Sequence, residues 1–512
     1  MHSQIDVESY APATAASVRN ASATGTKLPF SQAYLPPPGL YDEMFTSTGE
    51  VRPHYAPILP LLRMRHDELD EMRITAERSL LHQGVTFNVY NGHAGIERIF
   101  PFDVIPRIID YQTWSRLEAG LIQRVKALNA FVADVYGQGN ILKDGLIPRD
   151  LILESAQYRR AVVGLKVPLD IFITIAGIDL VRGDDGNFRV LEDNVRTPSG
   201  VSYALENRAI TAQLIPEVLR ASGVRPIESY PADLLACLTE LGSERFSDPT
   251  VALLTPGPFN SAFFEHVFLS QQMGIELVEG QDLVCKDHKL WMKTVHGLRR
   301  VHVLYRRIDD DFLDPVVFRA DSLLGVAGLT AALRAGNVIV ANAIGTGIAD
   351  DKAVYAYTPD MIRYYLGEQP ILPIVDTFLL RHREVREKVL RDLDQYVIKP
   401  TDASGGYGVV IGPHATERQL AELRSHIERE PHRYIAQLPV KLSVHPTFVS
   451  GADGKLSLTH RHIDLRPFVL FGQRPRVLAG GLTRVAMREG VLIVNSSQGG
   501  GSKDTWVLGP SC

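Results

Sequence analysis

The sequence predicts a mixed protein that combines α/β and α+β parts. Three observations predict it. Residues 251–278 run apolar strand, helix, strand, the pattern of an open parallel sheet. Residues 396–411 run strand, Gly-rich loop, strand. Residues 173–194 hold two apolar runs joined by Asp185-Gly186, a strong hairpin signal.

In chain order, residues 1–30 are rich in Ala, Ser and Thr and are expected to form a disordered tail. Residues 31–60 are Pro-rich and irregular, and hold YDEMF (41–45) and RPHY (52–55). Residues 61–82 read as a helix, with Leu69, Met72, Ala76 and Leu80 at three- and four-residue steps. Residues 114–136 continue the helical N-terminal region, and the hairpin follows. The pattern changes after Pro226. A strand at 251–255 ends in the loop Thr255-Pro256-Gly257-Pro258-Phe259-Asn260, a helix runs to about Gly274, and a strand follows at 275–278. No GxGxxG occurs there, so the dinucleotide fingerprint is absent. Further strands are expected at 301–305 and 338–341, and an amphipathic helix with a solvated charged face at 376–394. The expected division is a tail (1–30), an N-terminal region carrying the hairpin (31–225), a β-α-β domain (226–345) and a Gly-loop region (346–512).

Composition narrows the function classes. The chain has 512 residues, 45% hydrophobic and 22% charged, ordinary values for a soluble globular protein. A net charge of −5 gives no global field toward nucleic acid or anionic membrane, so neither is an expected partner. Any anionic ligand must be held by local groups. The three cysteines, Cys237, Cys285 and Cys512, have no metal-like spacing, which fits a reducing, cytoplasmic location. No apolar run approaches the roughly 18 residues of a membrane helix, and no signal-peptide core is visible. Oligomeric state stays open, a homo-oligomer included.

The hairpin carries the most chemistry. Centring the turn on Asp185-Gly186 pairs Asp184 with Asn187, Val181 with Val190 and Asp179 with Glu192. Opposed residues have Cβ atoms roughly 4.5–5.5 Å apart. Asn194 lies two residues beyond Glu192 and shares its face. Two carboxylates opposed on a half-buried face repel unless a cation joins them. Mg²⁺ suits an Asp, Glu and Asn oxygen set, with phosphate and water completing the octahedron. The competing reading is a surface hairpin whose charges point into water.

Phosphate-handling elements come later. The strand YVIK ends in Lys399 and runs into PTDASGGYG, which holds Ser404, Gly405, Gly406 and Gly408. Such glycines let backbone N–H groups cradle an anion. The loop is not a Walker A motif, and an ordinary flexible hairpin is the alternative. Upstream, Asp350 and Asp351 precede Lys352 at a predicted helix start. Downstream, YIAQ ends in Gln437 and runs into Leu438, Pro439 and Val440, a strand and connector able to offer backbone groups to adenine.

A lysine, a lysine with a Gly-rich hairpin, and a strand with a hinge at these distances resemble the ATP-grasp fold. Glu192 and Asn194 match its acidic-x-Asn metal pair, with Asp179 as the preceding acid, but the pair lies before the lysines. Reading the chain as a circle restores the usual order, the signature of a circular permutation. The strings YDEMF, VLEDNVRTPSGVSYALENR (190–208), YRRIDDDFLDP (305–315), ADDKAVYAY (349–357), VIKPTDASGGYGVVIGP (397–413), DLRPF (464–468) and NSSQGGGSKDTWVL (495–508) resemble the circularly permuted ATP-grasp type 2 family. That family is distantly similar to glutathionylspermidine synthetase. The resemblance spans about residues 35–508. It implies a circularly permuted ATP-grasp fold with a β-α-β pre-ATP-grasp domain. One departure is that the synthetase type has Arg two residues before its first metal-ligating Asp, where this chain has Gly177.

The resemblance also implies ATP and Mg²⁺ as cofactors and a carboxylate–amine ligation through an acyl phosphate. The partners would be small-molecule or peptide acids and amines. Asp179, Glu192 and Asn194 would hold Mg²⁺, and Lys352 and Lys399 the phosphates. Ser404, Gly405, Gly406 and Gly408 would cover them, and Gln437, Leu438 and Val440 would meet adenine. Arg466 in DLRPF is a candidate stabiliser of transferring charge, against a surface salt bridge with Asp464. Arg196, Ser199, Arg306 and Arg307 are candidate substrate contacts. For the two arginines beside Asp309, Asp310 and Asp311, a structural ion-pair cluster is the alternative. Lys503, in a loop expected at 496–504, is a weaker candidate, and His460 and His462 read as structural. The same nucleotide site would serve a kinase, or an ATP-binding assembly protein without chemistry.

Overall fold

The computed structural model describes residues 34–64, 66–91, 94–99, 101–402, 408–450, 456–487 and 500–510. The expected tail, together with Ser404, Gly405, Gly406 and residues 496–499, lies outside the described residues.

The centre of the molecule is a nine-stranded sheet. Its path runs Arg476–Val477, Phe468–Leu470, Ile175–Arg182, Leu456–Arg466, Leu482–Val485, Gly501–Val507 and Phe102–Ile109. Phe188–Asn194 pairs with Ile175–Arg182, and Val444–Ser450 with Leu456–Arg466. The early strand therefore sits between two late ones, with Leu180 opposite Leu465 and Gly177 opposite Phe468. The hairpin from the first half of the chain is flanked in the sheet by strands from the last quarter. That is the spatial counterpart of a permuted order.

Ile175–Arg182 is buried at every position because both faces are covered. Ala176, Ile178 and Leu180 pack into the core built on the helix Tyr111–Tyr136. Ile175 joins the opposite core with Val201 and Tyr203, from the helix Val201–Leu214. The long helix starts earlier than its apolar pattern because Asp110 caps it, its Oδ1 accepting from Thr113 N at 2.9 Å. The helix expected at 61–82 divides into Leu59–Leu62 and His66–His82.

The β-α-β reading gives a four-stranded parallel sheet in the order Ile339–Ala341, Val303–Arg306, Val251–Leu254, Glu276–Val278. The helix Phe263–Met273 crosses over and stops at Gly274, whose φ of +66° a left-handed cap needs. The run expected as one strand at 301–305 is two. Gly297–Val301 belongs to a small antiparallel meander, and Val303–Arg306 enters the parallel sheet after a break at His302, whose Nδ1 accepts from Thr250 N.

A separate antiparallel sheet runs Thr377–Leu379, Tyr434–Gln437, Val397–Pro400, Val410–Ile411. The helix expected at 376–394 is therefore corrected. Only Arg383–Arg391 is α-helical, because Thr377 pairs with Gln437 in a strand contact that no local pattern reveals.

Candidate functional site

The acidic hairpin reaches its register by an unexpected route. Asp179 does stand opposite Glu192, yet Leu180 pairs with Val190 and Val181 with Arg189. Expected pairs Val181–Val190 and Asp184–Asn187 are thus corrected. The turn has three residues, closed by Gly183 N to Asn187 O at 3.0 Å, with Gly186 at φ +76°. A bulge after Asp179 restores the register the turn displaced.

The hairpin end opens into a cleft lined by four separated segments. They bring Gln157; Glu192, Asn194, Arg196 and Thr197; Asp350, Asp351 and Lys352; and Thr401 and Asp402. Lys352 Nζ lies 3.0 Å from Glu192 Oε1. Asp351 caps the short helix Lys352–Tyr355, accepting from Ala353 N at 2.8 Å. Lys352 N donates to Thr401 O at 3.1 Å, tying this turn to the strand that carries Lys399.

Lys399 belongs to the same electrostatic group. Burial lowers its ammonium to about 8; Glu192 opposes the shift, Lys352 adds to it, and Asp179 opposes it. Burial likewise lifts Asp350 to about 6 against the pull of Arg196, and Asp351 to about 6 against its backbone donors. The early Glu192 and Asn194 and the late Lys352 therefore line one cleft, and Lys399 lies within the field of Glu192 and Lys352.

Asp179 differs from its neighbours. Arg466 Nε and Nη2 donate to its two oxygens at 2.5 and 2.8 Å, and Arg484 Nη2 adds a bond at 2.9 Å. Despite burial, these guanidinium groups hold the carboxyl well below the usual range. Arg466 thus pairs with Asp179, while Asp464 is held by Arg484 at 2.6 Å, not by Arg466. Arg484 was not legible as a site residue, since nothing in its local sequence points to Asp179.

The remaining candidates fall into two groups. Arg196 reaches the cleft, between Asp350 at 3.2 Å and Asp309 at 3.4 Å. Arg306 and Arg307 are buried among protein partners. Arg306 pairs with Asp310 at 2.8 Å, and Arg307 with Glu265 at 2.8 Å. Arg307 also donates to Pro198 O and to Ser199 Oγ, both at 2.6 Å, which turns Ser199 inward. Lys503 is fully buried in a strand, with Nζ on Asp103 at 2.6 Å, so the expected loop gives way to a strand from Gly501 onward. Gln437 is buried and donates to Thr377 Oγ1 at 2.9 Å. Leu438 is exposed, and Val440 packs with Val181, Val375 and Leu442. Gly408 has φ +73°, and a side chain there would meet Pro400.

Glu192 and Asn194 present hard oxygen donors, and the Asn194 amide nitrogen is buried without a partner among the described residues. The Glu192 and Asn194 oxygens suit a hard cation, and the unmet Asn194 N–H donor, beside two lysines, suits a phosphate oxygen completing its shell. Asp179 fits less well, because its oxygens already accept three bonds. Among the described residues no three His, Cys, Asp or Glu side chains gather as a metal cluster.

The comparisons agree with this architecture. An uncharacterized protein of Synechocystis sp. is 49% identical over 474 residues, covering 92% of this chain and 98% of that one. An uncharacterized protein of Mycobacterium tuberculosis is 48% identical, covering 92% and 84%. A protein of Frankia casuarinae, provisionally named glutamate–cysteine ligase 2-2, is 44% identical over 91% of this chain but only 53% of its own length. Nearly half of that relative lies beyond the matched region, so its name fixes no activity here. A glutathione synthetase-like effector from Globodera pallida, in its apo form, shares the fold with a TM-score of 0.57 at 11% identity, over 88% of this chain and 99% of that one. The sequence profile of circularly permuted ATP-grasp type 2 proteins matches residues 106–486, and the chain belongs to that family.

Proposed function

We propose that the protein is an ATP-dependent carboxylate–amine ligase that forms an amide or peptide bond through an acyl phosphate. The observation that carries this reading is the meeting of Glu192, Asn194 and Lys352 in one cleft, with Lys399 electrostatically coupled to Glu192 and Lys352. Family membership supports ATP use, and the provisional ligase name of the Frankia relative supports the reaction class.

ATP's anionic tail repels a carboxylate nucleophile, so positive charge has to be assembled locally. Lys352 and Lys399 hold the phosphates. Glu192 and Asn194 would hold Mg²⁺, which when bound would neutralise phosphate charge. A carboxylate oxygen of the donor acid attacks the γ-phosphorus and ADP leaves. The acceptor amine then attacks the acyl carbon, phosphate departs and the nitrogen gives up a proton. Arg466, fixed by Asp179, would stabilise the transferring charge. Arg196 faces the donor acid. The buried Arg307 holds the turn that follows Thr197, through Pro198 O and Ser199 Oγ.

The test is ADP release screened over a matrix of acids, amino acids, peptides and polyamines. A ligase releases ADP only when acid and amine are both present. A stable phosphorylated product without amine would make it a kinase. ATP binding with no turnover across the matrix would make it a binding protein.

A further inference from the structure

We propose that Asp350 is a positioning residue that sets the distance between the strand end at Asn194 and the lysine turn at Lys352. The inference rests on the nucleotide-site reading above.

Asp350 Oδ1 accepts from Val195 N at 2.6 Å and from Arg196 N at 3.1 Å. Its other oxygen faces Arg196 Nε at 3.2 Å. Val195 follows Asn194 directly, so these bonds fix the backbone where Asn194 leaves the strand. The carbonyl of Val195 is held as well, by Asn342 Nδ2 at 2.8 Å. Both polar groups of Val195 are thereby anchored.

Lys352 is only two residues beyond Asp350, and the same turn has two more ties. Lys352 N donates to Thr401 O, and Lys352 Nζ reaches Glu192. One short turn therefore links the hairpin end, the lysine and the strand of Lys399. Without Asp350, the pairing of Lys352 with Glu192 would rest on two flexible side chains. A rotamer-rich lysine held by a fixed backbone loses less on binding than a free one.

Geometry and charge are separable at this position. Asn keeps an oxygen that can accept from both N–H groups but carries no charge. Glu keeps the charge but is one methylene longer, so it displaces the turn. MgATP affinity of the full chain is measured by calorimetry for wild type, Asp350→Asn and Asp350→Glu, with thermal unfolding of each as a folding control. The expected result is Asp350→Asn within about threefold of wild type and Asp350→Glu at least tenfold weaker, both folded. Combining Asp350→Glu with Lys352→Met should cost less than the product of the two single effects, which a merely structural role would not produce. The reverse pattern, or unchanged affinity in both single variants, would overturn the assignment while leaving the nucleotide site standing. A wild-type chain that does not bind MgATP overturns both.

Discussion

Lys352 Nζ stands 3.0 Å from Glu192 Oε1, so the late lysine turn is ion-paired to the early acidic hairpin. Both groups are shielded from solvent, with side chains 11% and 24% exposed. Each neutralises the other. Nucleotide and metal would take over both roles, since phosphate suits the ammonium and the cation suits the carboxylate. Glu192→Gln removes the ligand charge and should lower MgATP-dependent turnover more than tenfold. The check is ADP release at saturating Mg²⁺; near-normal rates would take Glu192 out of the metal site.

Lys399 supplies a pH signature. Its ammonium is lowered to about 8 from 10.5, chiefly by burial. ATP's phosphates favour the charged form. Affinity should be full below about pH 8 and fall as pH rises through it. Lys399→Met should weaken binding and abolish that pH limb in calorimetry. Between about 8 and 10.5 the unfolded lysine holds a proton the folded one has lost, so this group makes apo stability rise with pH.

Arg466→Ala tests the arginine paired to Asp179. It removes two of the three guanidinium bonds to Asp179 and leaves Arg484 in place. The stability loss should stay below the about 3–5 kcal/mol of a buried charge left wholly unpaired. Turnover should fall by about 10²-fold, the cost of one lost stabiliser of transition-state charge. Urea unfolding and steady-state rates separate the two effects. A rate unchanged in folded protein would reduce Arg466 to a structural partner of Asp179.

Glu43, in the YDEMF string, provides a structural contrast. It is fully buried, and Arg107 donates to both its oxygens, at 2.8 and 2.6 Å. Against burial, Arg107 and Arg182 hold it down to about 2 from 4.5. Its contribution is therefore present above about 4.5 and lost as pH falls toward 2. Glu43→Gln should destabilise by about 3–5 kcal/mol at neutral pH and flatten the acid limb of stability. MgATP affinity of the folded fraction should not change, as Glu43 does not line the cleft.

Much of the site was legible because its parts are local. Asp179 and Glu192 face each other across a turn, and Lys352 and Lys399 end or begin elements with clear signals. Even so, the hairpin register emerges from two irregularities that cancel, a three-residue turn and a bulge. The sequence shows neither. What it hid is non-local. Arg484 engages Asp179 from a late strand, and Arg124 on the long helix holds Asp193 at 2.6 Å. Lys503 sits in a Gly- and Ser-rich string that reads as loop, but a parallel pairing with Phe102–Ile109 makes it a strand. Thr377–Leu379 was absorbed into a helical pattern because its partner lies far downstream.

The most direct test is MgATP binding by calorimetry to wild type, Glu192→Gln, Lys399→Met and the double variant. If early carboxylate and late ammonium enclose one magnesium triphosphate, each single change weakens binding and the double change costs less than the product of the two. Independent, fully multiplicative losses, or wild-type affinity in both single variants, would contradict it.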